Sequence, residues 1–197
     1  MPRPVSRAEA VAEAARVAAA ARVAVGARVA VPAGERTVLI GVDGRAGSGK
    51  TTIADEIAAA LSDAVVVHVD DFAGPHVPEW DWPRFRAQVL EPLLAGRPAR
   101  YQRWEWNRDE PAEWHDVPAG GVLVVEGVSS TRSELAVPWD LQIWVDAPRD
   151  VRLGRAVERD GAEMLGHWLD VWMPSEEAYI ARERPQERVD LIVSSTE

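Results

Sequence analysis

One segment determines the architecture of this chain: Thr37-Val38-Leu39-Ile40-Gly41-Val42-Asp43-Gly44-Arg45-Ala46-Gly47-Ser48-Gly49-Lys50-Thr51. Its first half is an apolar run typical of a buried parallel strand. Its second half matches the complete pattern G-x-x-x-x-G-K-[ST] and precedes a predicted helix from Lys50 to Leu61. In such a loop, glycines let the backbone curl until successive N–H groups point at phosphate oxygens, next to the positive end of the helix. We call residues 44–51 the phosphate loop.

The phosphate loop predicts a nucleotide site with assigned roles. Lys50, the only lysine in the chain, is expected to contact the β- and γ-phosphates, and the Thr51 hydroxyl to bind Mg²⁺. The alternative is a fortuitous glycine-rich turn, which the complete match between a strand and a helix argues against. The residues predicted to bind the nucleotide are Gly44, Ala46, Gly47, Ser48, Gly49, Lys50, Thr51 and Thr52.

Apolar runs and helical segments alternate along the rest of the chain. This order predicts an α/β fold of the P-loop NTPase kind, a three-layer sandwich in which about five parallel strands are covered by helices on both faces. The predicted strands cover residues 37–43, 65–69, 122–125, 141–145 and 189–193. Helices are predicted near residues 83–94, 149–159 and 175–184.

The N-terminal part is predicted to be a helical extension, residues 1–34, packed on a domain formed by residues 35–197. Ser6 followed by Glu9 forms a capping box that opens the helix. Glu9, Glu13, Arg16 and Arg22 interrupt any continuous apolar region, which argues against a targeting signal. A linker is predicted at residues 32–35.

Composition excludes several classes of function. The formal net charge is -10 and the pI is about 4.9, whereas a nucleic-acid surface needs clustered Lys and Arg. The chain has no cysteine, which excludes disulfides and thiolate metal sites and fits a reducing compartment, with the cytoplasm as the default. We therefore expect no nucleic-acid or membrane partner, and the sequence leaves a homo-oligomer open.

Acidic residues follow two of the predicted strands. Asp70 and Asp71 come directly after the second strand, and Glu126 ends the third. Ligands of open α/β sheets gather at the carboxyl ends of the strands. Here, acids could accept the proton of an attacking hydroxyl and hold Mg²⁺ or its waters. The alternative is that they only cap turns, and for Asp71 the two interpretations are equally supported.

Four blocks together resemble the uridine kinase-like branch of the P-loop nucleoside kinases, which is related to phosphoribulokinase and pantothenate kinase. The blocks are residues 40–44 leading into the phosphate loop, His68-Val69-Asp70-Asp71-Phe72, Val124-Val125-Glu126-Gly127-Val128, and Val145-Asp146-Ala147-Pro148 before Arg152 and Arg159-Asp160. The resemblance implies that Asp70 is the general base and that Thr51, Glu126 and Asp70 serve Mg²⁺. It also implies that Asp81 binds sugar hydroxyls and that Arg152 lies near the adenine.

The chain departs from that family in two places. Uridine kinases have a Tyr-Asp-Phe segment followed by His, where this chain has Trp104-Glu105-Trp106-Asn107-Arg108-Asp109. The family's Arg-Gly-Arg lid segment is also missing after Arg159-Asp160. The predicted acceptor insertion covers residues 72–118, and the predicted short lid covers residues 160–174.

Arginines and tryptophans complete the predicted site. Arg155 and Arg159, four residues apart on a predicted helix, could face the phosphates together, although a solvated helix face is the alternative. Trp82, Trp104 and Trp106 either line the acceptor pocket or pack, with equal support. The four histidines lack metal-ligand spacing and are interpreted as structural or surface residues.

These observations predict an ATP- and Mg²⁺-dependent kinase that phosphorylates a hydroxyl of a nucleoside-like or sugar-like acceptor. Its catalytic residues would be Asp70, Lys50, Arg159 and Arg155. The alternative is a P-loop ATPase or nucleotide-dependent switch with a protein partner. A GTPase is excluded, because its Asn-Lys-x-Asp motif needs a second lysine.

Overall fold

The structure, a computed structural model, describes residues 1–27, 36–77, 79–106 and 108–195. Eight strands lie within these ranges: β1 (Arg3–Val5), β2 (Val38–Gly44), β3 (Ala64–His68), β4 (Ala99–Glu105), β5 (Glu110–Val117), β6 (Val122–Glu126), β7 (Leu141–Asp146) and β8 (Leu191–Ser194). Six of them form one parallel sheet in the order β1-β8-β7-β2-β6-β3, and β4 and β5 form a separate antiparallel hairpin.

Helices connect the strands. They are α1 (Arg7–Ala27), α2 (Lys50–Ala60), α3 (residues 82–94), α4 (Arg149–Asp160), α5 (residues 165–183) and α6 (Pro185–Arg188). Two of them contain a π-helical turn, at Arg86–Leu90 in α3 and at Trp168–Trp172 in α5. Short 3₁₀ turns occur at Val69–Phe72, Ser133–Leu135 and Ala162–Met164.

Strand β2 lies at the centre of the sheet and is buried along its whole length. Its alternate side chains face two different cores, as the strand period requires. Val38, Ile40 and Val42 pack with α1 and α2 on one face, whereas Leu39 packs on the other face with α3 and the 3₁₀ turn after β3. Beside that second core, α5 packs on β7. The predicted three-layer α/β fold is confirmed.

The predicted number of strands was one too low. The missing strand, β1, has only three residues and pairs in parallel with β8, with Arg3 opposite Leu191 and Val5 opposite Val193. A segment of three residues has no periodicity to detect. It becomes a strand because it pairs with β8, near the other end of the chain. The hairpin of β4 and β5 was also absent from the predicted elements. The predicted linker, residues 32–35, lies outside the described residues.

Helix α1 packs closely on the sheet because the fully buried residues of its inner face are alanines. Ala10, Ala14 and Ala18 have no exposed surface and lie in the same core as β2. The helix begins with the predicted capping box, since the Glu9 N–H donates to Ser6 Oγ at 3.3 Å and the Ser6 N–H donates to Glu9 Oε2 at 2.8 Å. No helix in the described ranges is both long enough and apolar enough to cross a membrane.

Candidate active site

The phosphate loop connects the carboxyl end of β2 to the amino end of α2. Gly47 has a φ of 75° and Gly49 a φ of 95°, in the left-handed region that favours glycine. A Cβ on Gly47 would lie 2.7 Å from the Arg152 carbonyl oxygen. The loop therefore has both the backbone conformation and the close packing that its glycines predict.

Lys50, the first residue of α2, lies across the phosphate loop. Its side chain is buried, and Nζ donates a hydrogen bond to the Arg45 carbonyl at 3.0 Å. Thr51 and Thr52 follow in the exposed first turn of the helix, while Ser48 is buried. The predicted phosphate-binding residues thus form one continuous structure, with the cationic side chain held at its centre.

Asp70 lies just beyond the carboxyl end of β3, in the 3₁₀ turn Val69–Phe72. Its carboxyl is accessible to solvent, but protein surrounds it closely enough for desolvation to dominate its titration. Desolvation, and then the negative charge of Glu126, raise the pKa of Asp70 above its ordinary value. The positive charges of Lys50, Arg159 and His68 act in the opposite direction. The charges of Lys50 in the phosphate loop and of Arg159 on α4 therefore both act on Asp70.

Glu126 is buried at the end of β6, where the strand register places it opposite His68 of β3. His68 Nδ1 lies 2.7 Å from Glu126 Oε2. Burial alone would raise the pKa of Glu126, but the hydrogen bond from His68, the charges of Lys50 and His68, and a hydrogen bond from Thr51 hold this pKa below its ordinary value. The same hydrogen bond raises the pKa of His68. Glu126 is therefore an ionised carboxylate beside Thr51.

His68, for which the sequence predicts a structural or surface role, contacts the candidate site through its hydrogen bond to Glu126. Two facts together could have identified it: His68 is the last residue of a parallel strand, and the neighbouring strand ends in an acid. The sequence did not reveal that β3 and β6 are neighbours.

The two predicted arginines differ in their contacts. Arg159 donates two hydrogen bonds to Asp160, from Nε to Oδ1 at 2.7 Å and from Nη2 to Oδ2 at 2.9 Å. Asp160 also accepts a hydrogen bond from the indole N–H of Trp168 at 2.9 Å. Arg155 donates to the Gly47 carbonyl at 3.0 Å. The positive charge of Arg159 acts on Asp70, and Arg155 contacts the backbone of the phosphate loop.

Asp81, the predicted ligand of sugar hydroxyls, caps the amino end of α3. Its Oδ1 accepts a hydrogen bond from the Arg84 N–H at 3.0 Å, and the side chain remains 38% exposed. The Arg84 guanidinium donates to the carbonyls of Gln102, at 2.7 Å, and Asp71, at 3.3 Å. Arg84 therefore ties the segment after β3 and the start of α3 to the hairpin. Asp71 itself accepts a hydrogen bond from the Tyr101 hydroxyl at 2.7 Å.

The three predicted tryptophans occupy different surroundings. Trp82 is half-buried, with the Arg132 guanidinium 5.4 Å from its ring centroid. Trp104 lies against Gly74, where an added Cβ would be 3.1 Å from the indole nitrogen. Trp106 is 40% exposed, next to the hairpin turn. Trp104 thus packs on Gly74, in the segment following Asp70, and Trp82 packs against the core that contains Phe72.

Asp43, which is not among the predicted site residues, connects the elements beneath the phosphate loop. Asp43 is fully buried in β2 and accepts hydrogen bonds from the Thr131 hydroxyl and the Tyr179 hydroxyl, each at 2.7 Å, and from the Ser129 N–H at 2.9 Å. It joins the start of the phosphate loop to the turn after Glu126 and to α5. Its only sequence signal was a carboxylate inside an otherwise apolar strand.

The donor set fits a magnesium ion bound mainly by a nucleotide. In the described ranges, no group of three or more His, Cys, Asp or Glu side chains is arranged as a metal site. Mg²⁺ in nucleotide sites needs only one or two protein oxygen ligands, since phosphates and waters supply the rest. Glu126 and the neighbouring Thr51 hydroxyl are oxygen groups of this kind.

Comparisons with known proteins agree with this geometry. Residues 40–177 match a family model described as an AAA domain. The chain is 30% identical over 156 residues to a uridine kinase of Lactobacillus helveticus, which covers 69% of this chain and 73% of the relative. This chain is also 27% identical to a uridine kinase of Halobacterium salinarum, and the match covers 78% of each chain.

A solved structure gives the same result for the fold. The structure described as a possible uridine kinase from Bacillus stearothermophilus has a TM-score of 0.61 and 19% sequence identity, and the match covers 92% of this chain and 99% of that one. At this identity the likeness concerns the fold alone. With the family model, the sequence relatives and the loop geometry in agreement, this chain belongs to the uridine kinase-like family of P-loop proteins.

Proposed function

We propose that this protein is an ATP-dependent kinase that transfers the γ-phosphate to a hydroxyl of a nucleoside-like or sugar-like acceptor. The observation that carries the proposal is the position of Asp70: an accessible carboxylate at the end of β3, within electrostatic range of Lys50, Glu126 and Arg159. A hydrolase or switch has no need of a base directed at an acceptor hydroxyl. Membership of a family that includes uridine kinases supports the same class of reaction.

In this proposal, Asp70 accepts the proton of the acceptor hydroxyl. Its raised pKa makes it a stronger base than an exposed aspartate, and the opposing charges around it keep the carboxylate form accessible. Lys50 contacts the β- and γ-phosphates from its place across the loop. Arg159 is positioned by Asp160 to face the negative charge that spreads over the transferred group.

Thr51, Glu126 and Asp70 would hold the magnesium ion of the nucleotide. When bound, Mg²⁺ neutralises charge on the β- and γ-phosphates. His68 keeps Glu126 ionised through the hydrogen bond between the two side chains, so this carboxylate is ready to bind a cation.

The charge of the acceptor side favours a substrate without a phosphate or carboxylate. Residues 68–84 and 99–117, which form the segment after β3 and the hairpin, contain nine Asp or Glu and only four Arg. Each of these arginines has a carboxylate partner within 4 Å in the described structure: Asp81 for Arg84, Asp116 for Arg100, Glu113 for Arg103 and Glu110 for Arg108. This surface therefore presents surplus negative charge to an acceptor, which favours a nucleoside or sugar over a sugar phosphate or pantothenate.

The test is an assay of ADP release with Mg²⁺-ATP against nucleosides, sugars, sugar phosphates and pantothenate. We expect one uncharged acceptor to stimulate turnover, and Asp70→Asn to lower that stimulated rate by at least about 100-fold, the range of general-base catalysis. Asp71→Asn is the matched control, because it makes the same change one residue later, and it should retain most of the activity.

Two results would contradict the proposal. Turnover that ignores every acceptor but requires Lys50 would favour the ATPase or switch. Full activity of Asp70→Asn with a stimulating acceptor would exclude Asp70 as the base.

A further inference from the structure

Three consecutive peptide units of the phosphate loop are each held by a charged side chain from outside the loop. The unit between Arg45 and Ala46 donates its N–H to Glu176 Oε2 at 2.6 Å. The carbonyl of the next unit, that of Ala46, accepts a hydrogen bond from Arg152 Nη1 at 3.3 Å. The carbonyl of the third, that of Gly47, accepts from Arg155 Nη1 at 3.0 Å.

Because a trans peptide is planar, fixing one of its polar groups fixes the direction of the other. With the Ala46 carbonyl held by Arg152, the Gly47 N–H must point to the opposite side of that peptide. In the first unit, the N–H faces Glu176 while the Arg45 carbonyl accepts from Lys50 Nζ at 3.0 Å and from the Ser48 N–H at 3.1 Å. Side chains outside the loop, together with Lys50 and the Ser48 N–H within it, therefore fix the direction of these peptide groups.

Glu176 and Arg152 are buried, with side-chain exposures of 3% and 5%, and they pair at 3.0 Å. Arg152 also leaves its Nε buried without a hydrogen-bond partner among the described residues. Apolar residues of similar volume would often support a fold as well as a buried ion pair does. A buried ion pair with an unsatisfied donor is therefore better explained by its hydrogen bonds to the phosphate loop than by its contribution to the stability of the fold alone.

We propose that Glu176, together with Arg152, is a positioning residue that holds the Ala46 peptide so that the phosphate loop is preformed for nucleotide. This inference rests on the proposed nucleotide binding and assigns Glu176 no contact with the substrate.

The position of these residues also connects the loop to the predicted lid. Arg152 and Arg155 lie on α4, and Glu176 lies on α5, so residues 161–164, which connect these helices within the predicted lid of residues 160–174, are attached to the phosphate loop on both sides. On α5, Tyr179 lies one turn after Glu176 and donates to Asp43 at the start of the loop. The face of α5 that carries Glu176 and Tyr179 is thus directed at the loop.

The test compares two double variants without the buried charges. Arg152→Met/Glu176→Met removes every contact of the pair with Ala46, whereas Arg152→Met/Glu176→Gln keeps a carboxamide oxygen that can accept the Ala46 N–H. Mg²⁺-ADP is the probe, and its Kd is measured by isothermal titration calorimetry. Glu177→Gln is the control, because it makes the same charge change on the next residue, whose carboxylate pairs with the Arg45 side chain.

We expect the double methionine variant to raise the Kd for ADP about tenfold or more, because the affinity falls with the fraction of loops in the competent conformation. The glutamine variant should recover most of this loss, and Glu177→Gln should stay within about twofold of the wild type. Wild-type Kd in the folded double methionine variant, or equal loss in both double variants, would overturn the inference.

A wild-type chain that binds no ADP would overturn the proposed function and this inference with it. Because the double methionine variant could fail to fold, amide hydrogen exchange of the wild-type chain provides an independent measurement. The Ala46 amide should be strongly protected, since it donates to a buried carboxylate. If the Ala46 amide exchanges as fast as the amides of an exposed loop, the proposed positioning of this peptide by Glu176 is contradicted.

Discussion

Tyr179→Phe tests the buried hydrogen-bond network beneath the phosphate loop. The Tyr179 side chain is 1% exposed, and its hydroxyl donates to Asp43 Oδ2 at 2.7 Å. Burial and the negative charge of Asp43 raise the pKa of this hydroxyl, so it remains a donor at neutral pH. The substitution removes one donor to a fully buried carboxylate and leaves the shape of the ring unchanged.

The expected cost follows from the remaining partners of Asp43. A hydrogen bond to a charged group contributes about 1.5–3 kcal/mol. Asp43 keeps the N–H groups of Gly44, Ser129 and Thr131 and the Thr131 hydroxyl, so it is not left unpaired. We therefore expect a loss near the lower end, about 1.5–2 kcal/mol of unfolding free energy, or roughly 3–8 °C in Tm for a chain of this size.

Urea unfolding and thermal unfolding of Tyr179→Phe measure this loss. Tyr101→Phe is the comparison, because Tyr101 is equally buried and donates at the same 2.7 Å, but to Asp71, which is only half-buried and can be hydrated. The loss should be smaller in Tyr101→Phe. The reasoning is refuted if Tyr179→Phe is as stable as the wild type, or if it loses no more than Tyr101→Phe.

Three further predictions concern the backbone of the loop and the N-terminal helix. Gly47→Ala should abolish high-affinity Mg²⁺-ADP binding in a titration, since the new Cβ would lie 2.7 Å from a backbone oxygen and φ at this residue is 75°. The control, Gly154→Ala, lies on open helix surface and should bind normally. Normal binding by both variants would show that the loop can rearrange. Ala14→Leu should lower the unfolding free energy by about 1–3 kcal/mol, because the larger side chain overpacks the core. Ala12 is exposed, so Ala12→Leu should change this free energy by less than about 0.5 kcal/mol. Equal effects of the two substitutions in urea unfolding would contradict the packing of α1. Ser6→Ala should cost about 1 kcal/mol in the same assay through loss of the helix cap, and an unchanged midpoint would show that this cap adds no stability.

The sheet and the nucleotide loop could be predicted because their signals are local. A buried parallel strand is a continuous apolar run, and the loop needs glycines at set positions beside Lys50. Asp70 and Glu126 could also be assigned to one edge of the sheet, since parallel strands end on the same side. In each of these cases a few neighbouring residues contain the information.

The remaining features depend on pairs of residues far apart in the chain. Asp43 finds its donors 86, 88 and 136 positions later, at Ser129, Thr131 and Tyr179. Strand β1 exists because its three residues pair with β8. In the hairpin, the strand pairing shifts register between Gln102 and Trp104, which obscures the alternation that would have predicted β4.

The two halves of the candidate site are supported by different parts of the molecule. The nucleotide side rests on the buried sheet and on α4 and α5, through Asp43, Arg152 and Glu176. The proposed acceptor side rests on the hairpin, which Arg84 and Tyr101 attach to the segment after β3. Because different residues support each half, changes in the hairpin leave the contacts of the phosphate loop in place. Under the proposed function, the phosphates of the donor are constant and the acceptor is not, which gives a physical reason why the loop matches its family closely while the segment around Trp104 departs from it.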